Sequence, residues 1–229
     1  KMEEMEVCFL MDRFGYMKLI DKNAYERNKE AVHNENKYVF NCMNTDKICI
    51  FTDTGKMHTI KAVDIPLGRF RDKGTPVDNL SNYDSSQERM LYVAPVGQLR
   101  SDRLLFVTKT SMCKLVEGAE FDVAKRTIAS TKLADEDELI FIGSASEMEQ
   151  IVLQSHGGCF LRFLTQEVST MKKTALGVRG MKLADDDYLE HAYLLAGHQE
   201  YTISYHDKEY ALNKVRLAKR DTKGIKPRI

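Results

Sequence analysis

Residues 48–60 read ICIFTDTGKMHTI, an apolar run followed by a short polar turn and a second apolar run. Residues 48–51 are continuously apolar, which is typical of a strand buried on both faces. The turn ends at Gly55, which fits the left-handed position of a three-residue hairpin loop, where a Cβ atom is disfavoured. This stretch therefore predicts a β-hairpin that lies between two neighbouring layers.

The hairpin pattern occurs five times along the chain. The copies are VCFLMDRFGYMKLI (7–20), ICIFTDTGKMHTI (48–60), LLFVTKTSMCKLV (104–116), IVLQSHGGCFLRF (151–163) and YTISYHDKEYALNKV (201–215). Their starts, near 7, 48, 104, 151 and 201, are about 40 to 55 residues apart, close to the period of propeller blades. A unit of this size cannot bury its own apolar faces, so neighbouring units must stack. The repeat predicts an all-β, propeller-like disc of about five four-stranded blades, with six as the alternative, in a single domain over residues 1–229.

The copies differ at the last position of the turn. Gly15 and Gly158 match Gly55, whereas Ser111 and Lys208 stand there in the third and fifth copies. Because glycine adopts left-handed backbone without a steric penalty, we expect these two turns to be looser or of another type.

The ends of the chain carry expectations of their own. Residue 1 is Lys rather than Met, which indicates a piece of a longer polypeptide. The last copy of the unit breaks off after Ile225, and the first strand of a closed propeller often completes the final blade, so residues 1–10 are expected to do this here. Helical periodicity is weak, and residues 26–31 and 117–124 predict only single turns of helix.

Bulk composition limits the classes of protein. The chain has 229 residues, of which 43% are hydrophobic, and it carries 34 basic and 34 acidic residues. No apolar run is long enough to span a bilayer, and the N-terminal sequence lacks the features of a signal peptide. We therefore expect a soluble, cytoplasmic protein with no membrane partner.

The cysteines and histidines do not indicate a reactive site. The five cysteines form no CxxC pair, and the six histidines are dispersed without metal-ligand spacing. Cys8, Cys49, Cys113 and Cys159 lie in or beside predicted strands, where free cysteine packs as a small apolar residue. We predict no disulfide, no metal, no cofactor and no catalysis by this chain.

The basic residues keep the phase of the repeat. Fourteen residues after the turn position stand Lys29, Arg69, Lys125 and Lys172, and Lys223 stands one place beyond it in the fifth copy. Further cations accompany them in the later units: Arg71, Lys73, Arg126, Lys132, Lys173, Arg179, Lys219 and Arg220. A polybasic stripe is the usual footprint of phosphate binding, so these residues are the predicted DNA-binding positions.

The acidic residues are phased as well, at 84 and 88, 135–138 and 185–187. One loop edge of the disc should therefore be positive and another negative, although the net charge is zero. A basic rim at blade spacing suits the phosphate backbone of duplex DNA bent around a disc. Contacts of this kind carry no sequence information, so the predicted binding is non-specific.

Several stretches resemble a known family. ALGVRGMKLADDD (175–187) resembles the recurrent blade motif of the C-terminal domain of bacterial type IIA topoisomerase A subunits. LLFVTKTSMCKL and ICIFTDTGKMHTIKAVDIP resemble hairpin starts of that domain, and FRDKGTPVDNL (70–80) resembles its loop after the third strand. The resemblance covers nearly the whole chain and recurs in phase with the repeat.

The resemblance implies a β-pinwheel, a propeller-like disc whose blades exchange strands. Such a domain binds and bends double-stranded DNA around its basic perimeter and presents it to the cleavage and ATPase parts of the enzyme. The implied partners are the ATPase B subunit of the full enzyme together with the rest of the A subunit, whose cleavage tyrosine belongs to an upstream domain. The isolated domain is expected to be monomeric and to act at the bacterial nucleoid.

One departure separates members of the family. DNA gyrase carries a Q-R-R-G-G-K-G box on its first blade, whereas residues 25–33 here read YERNKEAVH. The nearest stretch is GRFRDKG (68–74), in which only Arg69, Lys73 and Gly74 match. The sequence therefore favours the A chain of a topoisomerase IV over that of a DNA gyrase without the box. A protein-binding propeller that uses its acidic edge or a disc face is the alternative from another class.

Overall fold

The computed structural model describes residues 1–228. Its strands are β1 (Glu6–Met11), β2 (Tyr16–Ile20), β3 (Tyr38–Met43), β4 (Lys47–Thr52), β5 (Lys56–Lys61), β6 (Thr75–Pro76), β7 (Met90–Pro95), β8 (Arg103–Thr108), β9 (Met112–Glu117), β10 (Thr127–Ala129), β11 (Leu139–Ser144), β12 (Gln150–Ser155), β13 (Phe160–Leu164), β14 (Val178–Arg179), β15 (Leu189–Leu195), β16 (Thr202–Tyr205) and β17 (Lys208–Ala211). Its α-helices are α1 (Lys22–Arg27), α2 (Lys29–Glu35), α3 (Val77–Leu80) and α4 (Val96–Leu99). Short 3₁₀ turns follow four of the hairpins, at Ala62–Asp64, Gly118–Phe121, Thr165–Glu167 and Leu212–Lys214. No helix in residues 1–228 is long and apolar enough to cross a membrane.

The first strands of the first four hairpins are buried on both faces because each lies between two apolar clusters. In β4, Ile48 and Ile50 belong to the apolar cluster shared with the first hairpin, whereas Cys49 and Phe51 belong to the cluster shared with the third. All four side chains are fully buried. This placement explains the continuous apolar run, and it makes the burial of the second blade depend on both neighbours.

The cysteines of the hairpins are free and serve as packing residues, as predicted. Cys8, Cys49 and Cys113 are buried in β1, β4 and β9, and Cys159 is half-buried just before β13. Burial raises the pKa of the Cys113 thiol to about 12, so it stays protonated at neutral pH.

The second, third and fourth units each send one short crossover strand to the hairpin of the preceding unit. Strand β6 pairs with β2, β10 pairs with β5, and β14 pairs with β9. In the fifth unit, Phe160 and Ile225 exchange backbone hydrogen bonds of 2.8 and 2.9 Å. A return strand then pairs with the first strand of its own hairpin, which gives the sheet orders β10-β5-β4-β7 and β11-β8-β9-β14. Successive units are thus joined by backbone hydrogen bonds as well as by packing.

The first unit has two helices in place of a crossover strand. Asp21 caps α1 by accepting a hydrogen bond from the backbone N–H of Ala24 at 2.7 Å. Ala24 and Val32 then pack the two helices on the first hairpin, and β3 returns to pair with β1. The predicted helical turn at 26–31 falls where α1 ends and α2 begins, and the one at 117–124 is a 3₁₀ turn.

The expected closure of the final blade by residues 1–10 is wrong. Strand β1 is an inner strand of the first sheet, whose order is β3-β1-β2-β6, so both of its edges are already paired. Among the described residues, the fifth hairpin forms a two-stranded sheet of β16 and β17.

The turns of the first four hairpins share one geometry. Gly15, Gly55 and Gly158 have φ angles of 84°, 79° and 90°, and Ser111 has a φ of 74°. The expectation of a looser third turn is therefore wrong. The Ser111 hydroxyl accepts a hydrogen bond from the backbone N–H of Met181 at 2.7 Å, and this bond offsets the strain of a left-handed serine.

The fifth turn is of another type, as expected. His206 and Asp207 have φ angles of 50° and 62° and lie between the paired residues Tyr205 and Lys208. Two left-handed residues between paired strand ends are typical of a type I′ hairpin.

The Gly177→Ala substitution is expected to lower the free energy of unfolding by about 2 kcal/mol or more. Gly177 has a φ of 107°, and a Cβ atom there would lie 2.6 Å from the carbonyl oxygen of Cys113 in β9. Denaturant unfolding measures the effect, with Thr174→Ala at an exposed position of the same loop as the control. Equal stabilities of Gly177→Ala and the wild type would show that this close backbone approach is dispensable.

Candidate nucleic-acid interface

The crossover strands are reached through exposed segments that we name rim loops: residues 65–74, 121–127, 168–177 and 215–224. Each rim loop begins at a buried residue and runs along the second strand of the preceding hairpin; Leu67, for example, bridges Leu19, and Thr170 bridges Leu115. The loop at 121–127 is three residues shorter than the others. The rim loops therefore occupy equivalent places on successive blades.

Exposed cations recur at one position of the rim loops. Arg69, Lys172 and Lys219 each lie four residues after the start of a ten-residue loop, and all three are exposed. Lys125 lies four residues after the start of the shorter loop and is exposed as well. Most of the predicted DNA-binding residues lie on these loops: Arg69, Arg71, Lys73, Lys125, Arg126, Lys172, Lys173, Lys219, Arg220 and Lys223. Arg179 lies in β14, close behind its rim loop. Lys29 lies on α2, apart from this set, because the first unit has no crossover.

Two lysines outside the rim loops lie beside them. The backbone N–H of Lys132 donates to the carbonyl of Lys173 at 3.1 Å, which joins predicted residues of the third and fourth units. Lys182 makes the equivalent bond to the carbonyl of Thr222 at 2.9 Å, and its side chain is exposed. Lys182 is absent from the predicted set. The tetrapeptide KLAD begins at Lys132 and again at Lys182, and this repeat is the sequence signal that identifies Lys182.

Two of the predicted cations hold backbone groups. Lys173 donates from Nζ to the carbonyl of Glu120 at 3.3 Å. Arg220 donates from Nε to the carbonyl of Glu167 at 2.9 Å and from Nη1 to the carbonyl of Arg179 at 2.8 Å. These hydrogen bonds join each rim loop to the preceding unit, so both side chains stabilise the fold.

Two other predicted cations make surface ion pairs. The Arg69 Nε lies 3.6 Å from the Asp72 Oδ1, and the Arg179 Nε lies 3.6 Å from the Asp221 Oδ1. The Arg69 side chain is 90% exposed. Exposed pairs of this kind contribute about 0 to 1 kcal/mol, so a phosphate group can replace the carboxylate.

A second set of polar side chains lies beneath the rim loops, at one register position in the second strand of the first three hairpins. Its members are Lys18, His58 and Lys114, which pair across the hairpin with Leu10, Ile50 and Phe106. The equivalent residue of the fourth hairpin is Leu161, which pairs with Leu153. None of them is in the predicted set. Their common position becomes visible only when the strands are in register.

Lys114 is the most deeply enclosed cation of this second set, with 2% of its surface exposed. Its Nζ donates to the carbonyl oxygens of Lys173, Ala175 and Lys172 at 2.8, 2.6 and 3.5 Å. Burial lowers the pKa of Lys114 to about 8, an effect that the carboxylate of Glu120 partly opposes. The ammonium group therefore remains mostly charged at neutral pH, surrounded by carbonyl oxygens of the rim loop.

The phased acidic residues stabilise the hairpin turns. Asp137 accepts hydrogen bonds from the backbone N–H and the hydroxyl of Thr110, at 3.1 and 2.6 Å. Asp187 accepts one from the backbone N–H of Gly157 at 2.8 Å. The exposed carboxylates at 135, 136, 185 and 186 lie beside Asp137 and Asp187, in the turns that precede β11 and β15.

A polar cavity of about 520 Å³ lies between the first four units. Arg13, Glu88, Ile140 and His191 are among its lining residues and come from four different units. Within residues 1–228, no group of three or more His, Cys, Asp or Glu side chains is placed to hold a metal ion. The recurring cations make the rim, rather than this cavity, the candidate functional site.

The exchanged strands and the repeated hairpins define a β-pinwheel, a propeller-like repeat domain. The family model described as "DNA gyrase C-terminal domain, beta-propeller" matches residues 46–85, 102–146 and 149–196, more than half of the chain. The chain belongs to this family.

Curated relatives are similar over a part of their own length. The gyrase A protein of Ureaplasma parvum is 25% identical over 236 residues, which cover 96% of this chain and 28% of the relative. The gyrase A protein of Salmonella typhimurium is 31% identical over 144 residues, which cover 62% of this chain and 16% of the relative. The chain thus spans less than a third of the length of these relatives.

Solved structures share the fold. The C-terminal domain of DNA topoisomerase IV superposes with a TM-score of 0.85 at 22% identity, covering 98% of this chain and 73% of that one. The E. coli ParC C-terminal domain gives 0.75 at 13% identity, covering 97% and 94%. The DNA gyrase A C-terminal domain gives 0.63 at 18% identity, covering 96% and 76%.

These comparisons confirm the predicted all-β pinwheel and the predicted membership of the type IIA topoisomerase A subunits. The chain corresponds to the non-catalytic C-terminal domain of such a protein, whose catalytic tyrosine lies in the N-terminal region. The prediction that this chain is not itself an enzyme is confirmed on the same ground.

The unfolding free energy of the wild type, measured relative to Lys114→Met, is expected to rise as the pH increases from about 8 to about 10.5. The pKa of Lys114 is lowered from 10.5 to about 8 in the folded chain, so the unfolded chain binds more protons over this window. Denaturant unfolding of both proteins between pH 7 and 10.5 provides the measurement.

The two proteins share the buried thiols of Cys8 and Cys49, whose pKa burial raises to about 11 and about 12. Their ionisation lowers the stability of both proteins equally and cancels in the difference. A stability difference that does not change with pH would contradict the desolvation of the Lys114 ammonium.

Proposed function

We propose that this domain binds duplex DNA non-specifically along its rim and bends it around the disc. The observation that carries the proposal is the recurrence of exposed Arg69, Lys172 and Lys219 at one position of three rim loops. Cations at blade spacing match the repeated negative charge of a DNA backbone that follows the edge of the disc. Family membership supports the same proposal.

We further propose that the domain serves the A subunit of a topoisomerase IV. In that enzyme it presents a DNA segment for strand passage, together with the ATPase B subunit, in the bacterial cytoplasm at the nucleoid; the rest of its own polypeptide supplies the cleavage site. The absence of the gyrase box from residues 25–33 supports this choice. In this chain the stretch folds as α1 and α2 and carries Lys29 as its predicted DNA-binding residue.

DNA binding by the isolated domain, which we propose to be monomeric, is expected to weaken steeply with salt. The logarithm of the binding constant should fall by about 0.9 per decade of salt for each phosphate neutralised. Fluorescence anisotropy with a labelled duplex, titrated at several salt concentrations, measures the slope. A flat salt dependence, or no binding at low salt, would overturn the proposed function.

Neutralising the recurring cations is expected to lower that slope in equal steps. Arg69→Gln, Lys172→Gln and Lys219→Gln should each reduce it by about 0.9, and the three combined should reduce it additively. The loss should be the same on duplexes of unrelated sequence, because phosphate contacts do not read bases. Lys37→Gln is the matched control, because Lys37 is exposed and lines the cavity between the first four units, away from the rim loops.

A topology assay separates the two members of the family. Closed circular DNA relaxed in the presence of the domain should keep the linking-number distribution of protein-free DNA if the domain bends DNA without tight chiral wrapping. A handed shift of the distribution that grows with protein concentration would instead assign the domain to gyrase.

A further inference from the structure

We infer that Lys18 and Lys114 are positioning residues of the rim: the ammonium group of each holds the rim loop of the following unit in the shape that presents its cations. This inference rests on the proposed function for its DNA-binding consequence. The contacts between each ammonium group and the loop above it do not depend on DNA binding.

The two lysines bind equivalent carbonyl groups. The Nζ of Lys114 donates to the carbonyls of Lys173 and Ala175, the sixth and eighth residues of loop 168–177. The Nζ of Lys18 donates to the carbonyls of Phe70 and Asp72, the sixth and eighth residues of loop 65–74. Two loops that differ at nearly every side chain thus receive the same pair of charge-assisted hydrogen bonds.

The bound carbonyls orient the cations. In both loops a tight turn follows the recurring cation: the backbone N–H of Asp72 donates to the carbonyl of Arg69 at 3.1 Å, and that of Ala175 to the carbonyl of Lys172 at 3.0 Å. The ammonium draws the carbonyls of these turns inward. The Arg69 and Lys172 side chains are then left facing solvent.

The lysine lies beneath two of the three ten-residue rim loops, 65–74 and 168–177. The loop at 121–127 is three residues shorter and lacks the corresponding turn. The same register position beneath it holds His58, whose Nδ1 lies 2.9 Å from the Thr127 Oγ1 and whose Nε2 lies 2.9 Å from the Glu88 Oε2. In the fourth hairpin the equivalent position beneath loop 215–224 holds Leu161. Arg162, one residue further along, donates from its side chain to the carbonyl of Val215 at the start of that loop, 2.8 Å away.

Amide hydrogen exchange of Lys114→Met tests the structural part. Exchange should accelerate by roughly ten- to a hundredfold at Lys173 and Ala175, because charge-assisted hydrogen bonds of the loop are lost. Exchange of the strand amides at Val152 and Leu153 should stay within about twofold of the wild type. If Lys114 only stabilised the fold as a whole, amide exchange would accelerate in the loop and in the strands together.

DNA binding supplies the functional readout. The salt slope of Lys114→Met should fall by about one, although Lys172 is unchanged, because a loose loop no longer holds its cation against the phosphates. Lys37→Met is the control and should change neither the exchange rates nor the slope.

Lys18→Met repeats the test at the half-buried lysine, with loop 65–74 as the reporter, in case Lys114→Met does not fold. Unchanged loop exchange in either folded variant would overturn the inference, as would failure of both variants to fold. If the wild type binds no DNA at low salt, the proposed function and the functional consequence fail together. The exchange measurement then still decides whether the lysines hold the loops.

Discussion

The backbone pairing between each crossover strand and the preceding hairpin is the constraint on which the remaining features depend. Because β6, β10 and β14 must reach the neighbouring sheet, the chain has to pass over the outer edge of the disc in successive units. The rim loops are that passage, and their equivalent positions follow from equivalent pairing. Gly177 and Cys113 show how close this pairing brings two backbones, since a Cβ atom at Gly177 would lie 2.6 Å from the carbonyl of Cys113.

Acidic and basic side chains occupy different parts of this domain. This separation explains how a chain with zero net charge can carry a basic surface. Carboxylates such as Asp137 and Asp187 accept hydrogen bonds from the hairpin turns, so part of the negative charge is used inside the blades. Lys114 contributes a further positive charge directly beneath a rim loop. An exposed cation such as Lys172 lies above it, so both charges favour an anion at the outer edge.

The sequence was sufficient for the features that depend on local pattern. The apolar run at 48–51 predicts strands buried on both faces, and the phase of Arg69 and Lys172 predicts their common place on the rim. Contacts between distant segments were not predictable in this way. The bond between Ser111 and Met181 joins residues 70 positions apart, and the carbonyls bound by Lys114 lie 58 to 61 positions away. The edge partners of β1 likewise depend on β2 and β3, so the pattern of residues 1–10 alone could not assign that strand to a blade.

The helices α1 and α2 show that the array has a direction. Each later unit pairs with the hairpin of the unit before it, whereas the first unit of this chain folds its equivalent segment back on its own hairpin. A blade is therefore not the exchangeable module of this protein. A hairpin and the rim loop above it belong to different units. A duplication that preserves the packing between them must therefore include one hairpin and the crossover strand of the following unit. Substitutions in the second strand of one unit therefore alter the rim loop of the following unit.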